Sequence, residues 1–224
     1  MMMRRFLFCL SVFLFLYGMK GLYLVHRCRS RTEEYRMIIS GSDDLNTAAA
    51  LYSESHPDFS GFLVFDSGIL SVPVMYDPEQ SLFYLDHDTE GRKDPAGVPF
   101  TFHSAEDPVI TVFGHLVYYD EQAAFSPLQT LSDRDVCLKN RWFRFVTPSG
   151  TARYEIRSVI KVRHDQNTEY PVMVPEPDET WLNAVRQYRL EDEMTFLTDD
   201  QYMILQTCLR NVPDVHLLLI AVKV

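Results

Sequence analysis

The first apolar block is the longest in the chain. From Phe6 to Val25 only Lys20 is charged, which is about the 20 residues a helix needs to cross a bilayer. From Arg31 to about Ser55 the pattern stays helical, with a break at "SGSDD". In "DDLNTAAALYSES" either Asp43 or Asp44 can cap a helix of good helix formers, and "HPDF" ends it. The pattern then changes to short, β-branched apolar runs separated by Gly and Pro. They are "GFLVFDSGILSVPVMY", "VITVFGH", the pair "RWFRFVT" and "TARYEIRSVIKVR" joined by a "PSG" turn, and finally "QYMILQTC" and "HLLLIAVKV". The segment from Asp77 to Pro108 is rich in turn residues, and "FSPLQTLSD" has room for one or two helical turns. "PDETWLNAVRQYRLEDE" predicts one long helix, with Asp178 as N-cap and an apolar stripe of Trp181, Leu182, Val185 and Tyr188. There is no internal repeat. The pattern predicts a mainly β fold: about eight short strands closed into a barrel, with N-terminal helices and a long helix inserted before the last two strands.

Length divides this pattern into a membrane anchor over 1–30, a helical segment over 31–56 and a barrel over 57–224. The 224 residues, 46% hydrophobic, suffice for one good core. A net charge of -10 argues against nucleic acid as a partner, since that needs a basic surface. The anchor carries no small-residue cleavage site, which favours an uncleaved transmembrane helix over a signal peptide, and "LVHRC" is a poor lipobox. Arg4 and Arg5 flank one side of it, and Arg27, Arg29 and Arg31 the other. The positive-inside count therefore does not place the C-terminal domain. The four cysteines, at 9, 28, 137 and 208, include no CxxC pair. That excludes a zinc ribbon or thioredoxin-like motif and argues against a disulfide scaffold.

Two positions carry chemistry, each at the end of an apolar strand: His115 closes "VITVFGH" and Cys208 closes "MILQTC". Taken singly, each is most simply a structural residue. Together they suit thiol chemistry, because an imidazole near a thiol can lower its pKa and later protonate a leaving amine. His87 in "LDHDTEG", and His103 with Glu106 in "FHSAEDP", read as loop residues; no metal site and no cofactor is implied. Cys137 reads as core.

The order of these pieces resembles a class B sortase, a membrane-anchored cysteine transpeptidase of Gram-positive bacteria. The resemblance runs from about Asn46 to the C-terminus. It is carried by "NTAAALYSESHPDFSGFLVF", "VPVMY", "FYLDHD", "AGVPFTFHS", "ITVFGHLV", "FSPLQTL", the helix before the last strands, and "ILQTC" with its closing strand. It implies that Cys208 attacks the carbonyl of a sorting-signal threonine and forms a thioacyl-enzyme. His115 then protonates the departing amine and helps deprotonate the incoming one, which belongs to a cell-wall precursor or a pilin lysine. It also implies a single-pass protein with its catalytic domain outside the cell. The family expects an arginine at the start of the last strand, to serve the oxyanion or position the peptide; alignment puts His216 there. Three readings stay open. His216 does a weaker version of that job, better at acidic pH; Arg210 swings in from the loop; or the oxyanion site is lost and the protein is an accessory that binds pilin or surface-protein substrates without efficient transpeptidation. A plain thiol hydrolase has nothing in the sequence to support it. Thr207 is either a substrate contact or an ordinary β-branched strand residue. Ile204 stands where the family has threonine and is expected to point inward, and Phe102 stands where the family has aspartate.

Overall fold

The computed structural model describes residues 2–42, 44–163 and 177–224. Helix α1 (Met2–Ser40) is unbroken from the apolar block into the domain. Helix α2 (Leu45–Ser55) follows the predicted break. Its N-cap is Asp44, whose carboxylate accepts from the amides of Asn46 and Thr47; Asp43 lies outside the described residues.

Eight strands follow among the described residues: β1 (Phe59–Phe65), β2 (Ser71–Tyr76), β3 (Phe100–Thr101), β4 (Val109–Phe113), β5 (Trp142–Thr147), β6 (Gly150–Arg163), β7 (Tyr202–Cys208) and β8 (Val215–Lys223). They close into a barrel in the order β1-β2-β3-β4-β7-β8-β6-β5. The β2–β3 and β4–β7 pairs are parallel and the rest antiparallel. Closure leaves no edge exposed. A 3-10 turn over Ser126–Ser132 occupies "SPLQTLS". It is followed by a short helix, α3 (Arg134–Lys139), which the apolar pattern did not predict; its signal was Asp133, whose carboxylate caps it.

The barrel interior is filled by residues such as Leu63, Val112, Phe143, Phe145, Leu205 and Leu219, with Cys137 packed among them. A second apolar cluster covers the outside of β7 and β8. There Trp181, Leu182 and Val185 of α4 (Glu179–Arg186) sit on Tyr202, Ile204, Leu218 and Ile220. Strands buried on both faces need continuous apolar runs, not alternation, which is why "YMIL" and "HLLLIAV" lack a polar phase.

Two expectations are corrected here. Helix α4 lies before the last two strands and is capped by Asp178, whose carboxylate accepts from the Trp181 amide at 2.8 Å. It ends at Arg186, well short of the predicted length, because the chain must return to the barrel, where Arg189 bridges Ser158. Tyr188 therefore leaves the apolar stripe and is exposed. Ile204 is buried, but on the outer face beneath α4, so the threonine it replaces would have lain under the helix.

Candidate active site

Strands β4 and β7 run parallel with Phe113 opposite Gln206, and the Gly114 amide donates to the Gln206 carbonyl at 3.0 Å. β4 ends at Phe113, while β7 runs on to Cys208; extended two residues past its last pair, the same register would set His115 opposite Cys208. Strand periodicity puts both on the outer face, since Met203 and Leu205 of β7 and Ile110 and Val112 of β4 point into the barrel. Gly114 permits this approach: a β-carbon there would run into the ring of Phe125. Phe125 in turn donates its amide to the His115 carbonyl at 3.0 Å.

On the other side of Cys208 stands His216, its antiparallel partner on β8. The Leu209 amide donates to the Val215 carbonyl at 2.8 Å, so 209 and 215 form a hydrogen-bonded pair. The pair 208/216 is then the narrow, non-hydrogen-bonded kind, with Cα atoms about 4.5 Å apart and side chains close together. The His216 ring lies 3.5 Å from the Gln206 amide nitrogen. Cys208 thus has one imidazole, that of His216, on its paired neighbouring strand.

Arg210 follows a different path. Its guanidinium lies over the Tyr118 ring, 5.5 Å from the centroid, and donates to the carbonyls of Val117 and Tyr118 at 3.4 Å. It is held by the loop that follows His115. Sequence reasoning missed the residue that fixes this corner. The Gln129 side-chain amide donates to the Cys208 carbonyl and accepts from the Arg210 amide, both at 2.8 Å. It thereby substitutes for the strand partner that β7 lacks at its end. The signal was the single side-chain amide in "FSPLQTL".

Thr207 is 3% exposed and lies on the inward face of β7, away from the thiol. Its hydroxyl has no hydrogen-bond partner among the described residues. Phe102 packs against Phe100 and Phe113 behind the site. His87 stacks on Phe83 with its ring nitrogen 2.7 Å from the Phe83 carbonyl, and His103 lies 3.4 Å from the Asp107 carboxylate.

Burial acts on both groups in favour of their neutral forms. Burial pushes the exposed-side thiol of Cys208 above its ordinary value, with no charged neighbour among the described residues to offset it. Burial also pulls the His115 imidazole below its ordinary value, and its hydrogen bond to the Leu85 carbonyl and the nearby Asp86 carboxylate only partly oppose this.

The fold as a whole resembles known structures in shape. Staphylococcus aureus sortase B superposes with a TM-score of 0.72 at 15% identity, over 89% of this chain and 98% of that one. The chain has the class B sortase fold. A Staphylococcus aureus sortase B–substrate complex matches at 0.71 and 16% identity, over 92% and 98%. A Streptococcus pyogenes class B sortase involved in pilus biogenesis matches at 0.65 and 17%, over 77% and 95%. No protein-family model matches the chain, and no curated protein sequence is significantly similar to it. At this level of identity the sortase likeness is one of fold, and the chemistry must be argued from the site.

Proposed function

We propose that the chain is a membrane-anchored cysteine transpeptidase of the sortase kind, with its catalytic domain on the outer side of the membrane. The observation that supports this is the parallel β4–β7 register, with Phe113 opposite Gln206 and the Gly114 amide on the Gln206 carbonyl, which extended by two residues pairs His115 with Cys208. In this reading the Cys208 thiol passes its proton to His115 as the sulfur attacks the carbonyl carbon of a sorting-signal threonine. The scissile C–N bond breaks, a thioester forms, and His115 delivers a proton to the leaving amine. An incoming amine, from a cell-wall precursor or a pilin lysine, attacks the thioester and passes its proton to His115 while the C–S bond breaks, and the departing thiolate then takes that proton back from the imidazolium. Among the candidates for the oxyanion-side donor, the cross-strand pairing with Cys208 favours His216, because Arg210 is committed to the carbonyls of the next loop. Thr207 serves the strand and is left out of the groove.

The second reading, a substrate-binding accessory, draws on the neutral resting thiol and on the absence of an arginine at 216. Intact-mass spectrometry separates the two. The detergent-solubilised full chain is incubated with a pool of sorting-signal peptides and no amine acceptor, across pH. An acyl adduct absent from Cys208→Ala and strongly reduced in His115→Ala supports the transpeptidase. Peptide binding without any adduct, restored to acylation only by His216→Arg, supports the accessory.

A further inference from the structure

We propose that the Cys208 end of the barrel rests on the lipid surface, with Tyr118 and Tyr119 seated in the headgroup layer beside α1. This builds on the membrane-spanning reading of Phe6–Val25 and extends it from a tether to a docking surface. Helix α1 does not release the barrel after leaving the apolar block. Cys28 is buried with Ala96, Val117, Ala123 and Ala124, and Ile39, eleven residues on, is buried with Phe59 and Met75. Phe59 opens β1, and β1 runs in the same direction as β4 and β7. Helix α1 therefore descends from the end where β4 and β7 finish toward the end where β1 begins. Its membrane side and Cys208 share one end of the barrel.

The distances place that end at the bilayer. Val25 to Cys28 is about 4.5 Å along a helix, while the headgroup region adds roughly 5–8 Å to each side of the hydrocarbon core. The loop packed on Cys28 is thus at headgroup depth. That loop carries Tyr118, 63% exposed, and Tyr119, 40% exposed. Both flank a cleft lined by charges of both signs, Arg29, Glu33 and Arg36 of α1 and Asp120 and Glu121 of the same loop. Exposed Arg29, Arg92 and Lys93 stand around the same junction, where Arg27 donates to the Lys93 carbonyl. Exposed tyrosines beside the end of a membrane-spanning helix match what the headgroup layer selects, and the arginines and lysine around them are matched by carboxylates. The link to the site is direct, since Tyr118 is the residue on which Arg210 lies.

The test uses the full chain reconstituted in vesicles of phosphatidylcholine and phosphatidylglycerol, with lipids brominated near the top of the acyl chain as quenchers. Tyr118→Trp, or Tyr119→Trp if the first folds poorly, reports the proposed seat. Ser149→Trp, in the β5–β6 turn at the far end, is the reference, and the native tryptophans contribute equally to both. The expected result is quenching several-fold stronger at 118 or 119 than at 149. Protein that floats with the vesicles but shows no excess quenching at either tyrosine position overturns the docking surface while leaving the anchor intact. Protein that does not float overturns both.

Discussion

At the scale of single residues, the site is defined by protonation. With Cys208 above the thiol value of 9.0 and His115 below the imidazole value of 6.5, the neutral pair dominates between them and the reactive thiolate–imidazolium form is a minority. Alkylation of Cys208 by iodoacetamide should therefore be slow at neutral pH and climb only in the alkaline range. The kcat/KM of transpeptidation should show a broad bell, its acid limb below the ordinary histidine range and its alkaline limb above the ordinary thiol range. A thiol that is already fully reactive at pH 6 would contradict this. Gln129 offers a second test. Gln129→Ala removes two hydrogen bonds, each worth about 1 kcal/mol net, so the melting temperature should fall modestly while kcat falls more than KM changes. Gln129→Glu keeps the acceptor for the Arg210 amide and loses the donor to the Cys208 carbonyl. It should rescue stability more than rate if the alignment of Cys208 is what Gln129 supplies.

At the scale of elements, seven of the eight strands and the end of β7 at Cys208 were legible, because apolar runs and turn residues are local signals, whereas β3 is two residues long inside the turn-rich segment and β4 stops at Phe113, two residues before His115. The length of α4 was not legible. Its pattern continues past Arg186, but the bridge from Arg189 to β6 overrides propensity. Nor was the facing of Ile204: in a strand buried on both sides every position is apolar, and phase carries no information. The place of His216 beside Cys208 followed from the short β7–β8 connection, whereas Gln129 belongs to an element far away in sequence, and nothing local marks its target. Gly114 is the element-scale device most open to test. Gly114→Ala must displace Phe125 or the end of β4, so it should lower acylation by more than tenfold and destabilise the barrel. Thermal unfolding beside single-turnover acylation would check both, and an unchanged rate would show that His115 is not held by this approach.

At the scale of the molecule, the turn-rich segment proved to be a receptor for α1. Asp88, fully buried, takes Arg27 at 3.1 Å and Arg92 at 2.9 Å and lies 4.0 Å from Arg31. Asp94 pairs with Arg31, and Asp120 lies 3.7 Å from Arg29. Burial pushes the Asp88 carboxyl up, but hydrogen bonds from Arg92 and the charges of Arg31 and Arg92 outweigh it and hold it below the usual carboxylate range. A depressed folded-state pKa gives stabilisation that is complete above the ordinary value near 3.8 and is lost only as pH falls through the lower folded one. Asp88→Asn should thus loosen the α1 dock at every pH above 4, at a cost on the order of 3 kcal/mol. Faster protease cleavage between α1 and α2 in the detergent-solubilised full chain would report it; equal cleavage rates would remove Asp88 from the dock.

Because α1 is one uninterrupted helix from the apolar block to Ser40, a block that is long and apolar enough to cross a membrane, the proposed span and the barrel would behave as a key and its shaft. One residue inserted between Val25 and Cys28 would turn the barrel by about 100° around the span and shift it by about 1.5 Å. A four-residue insertion would nearly restore the angle while lifting the barrel by about 6 Å. Activity toward a substrate held in the same bilayer should then follow the angle of the insertion, one residue costing more than four, whereas activity toward a soluble peptide should be indifferent to both.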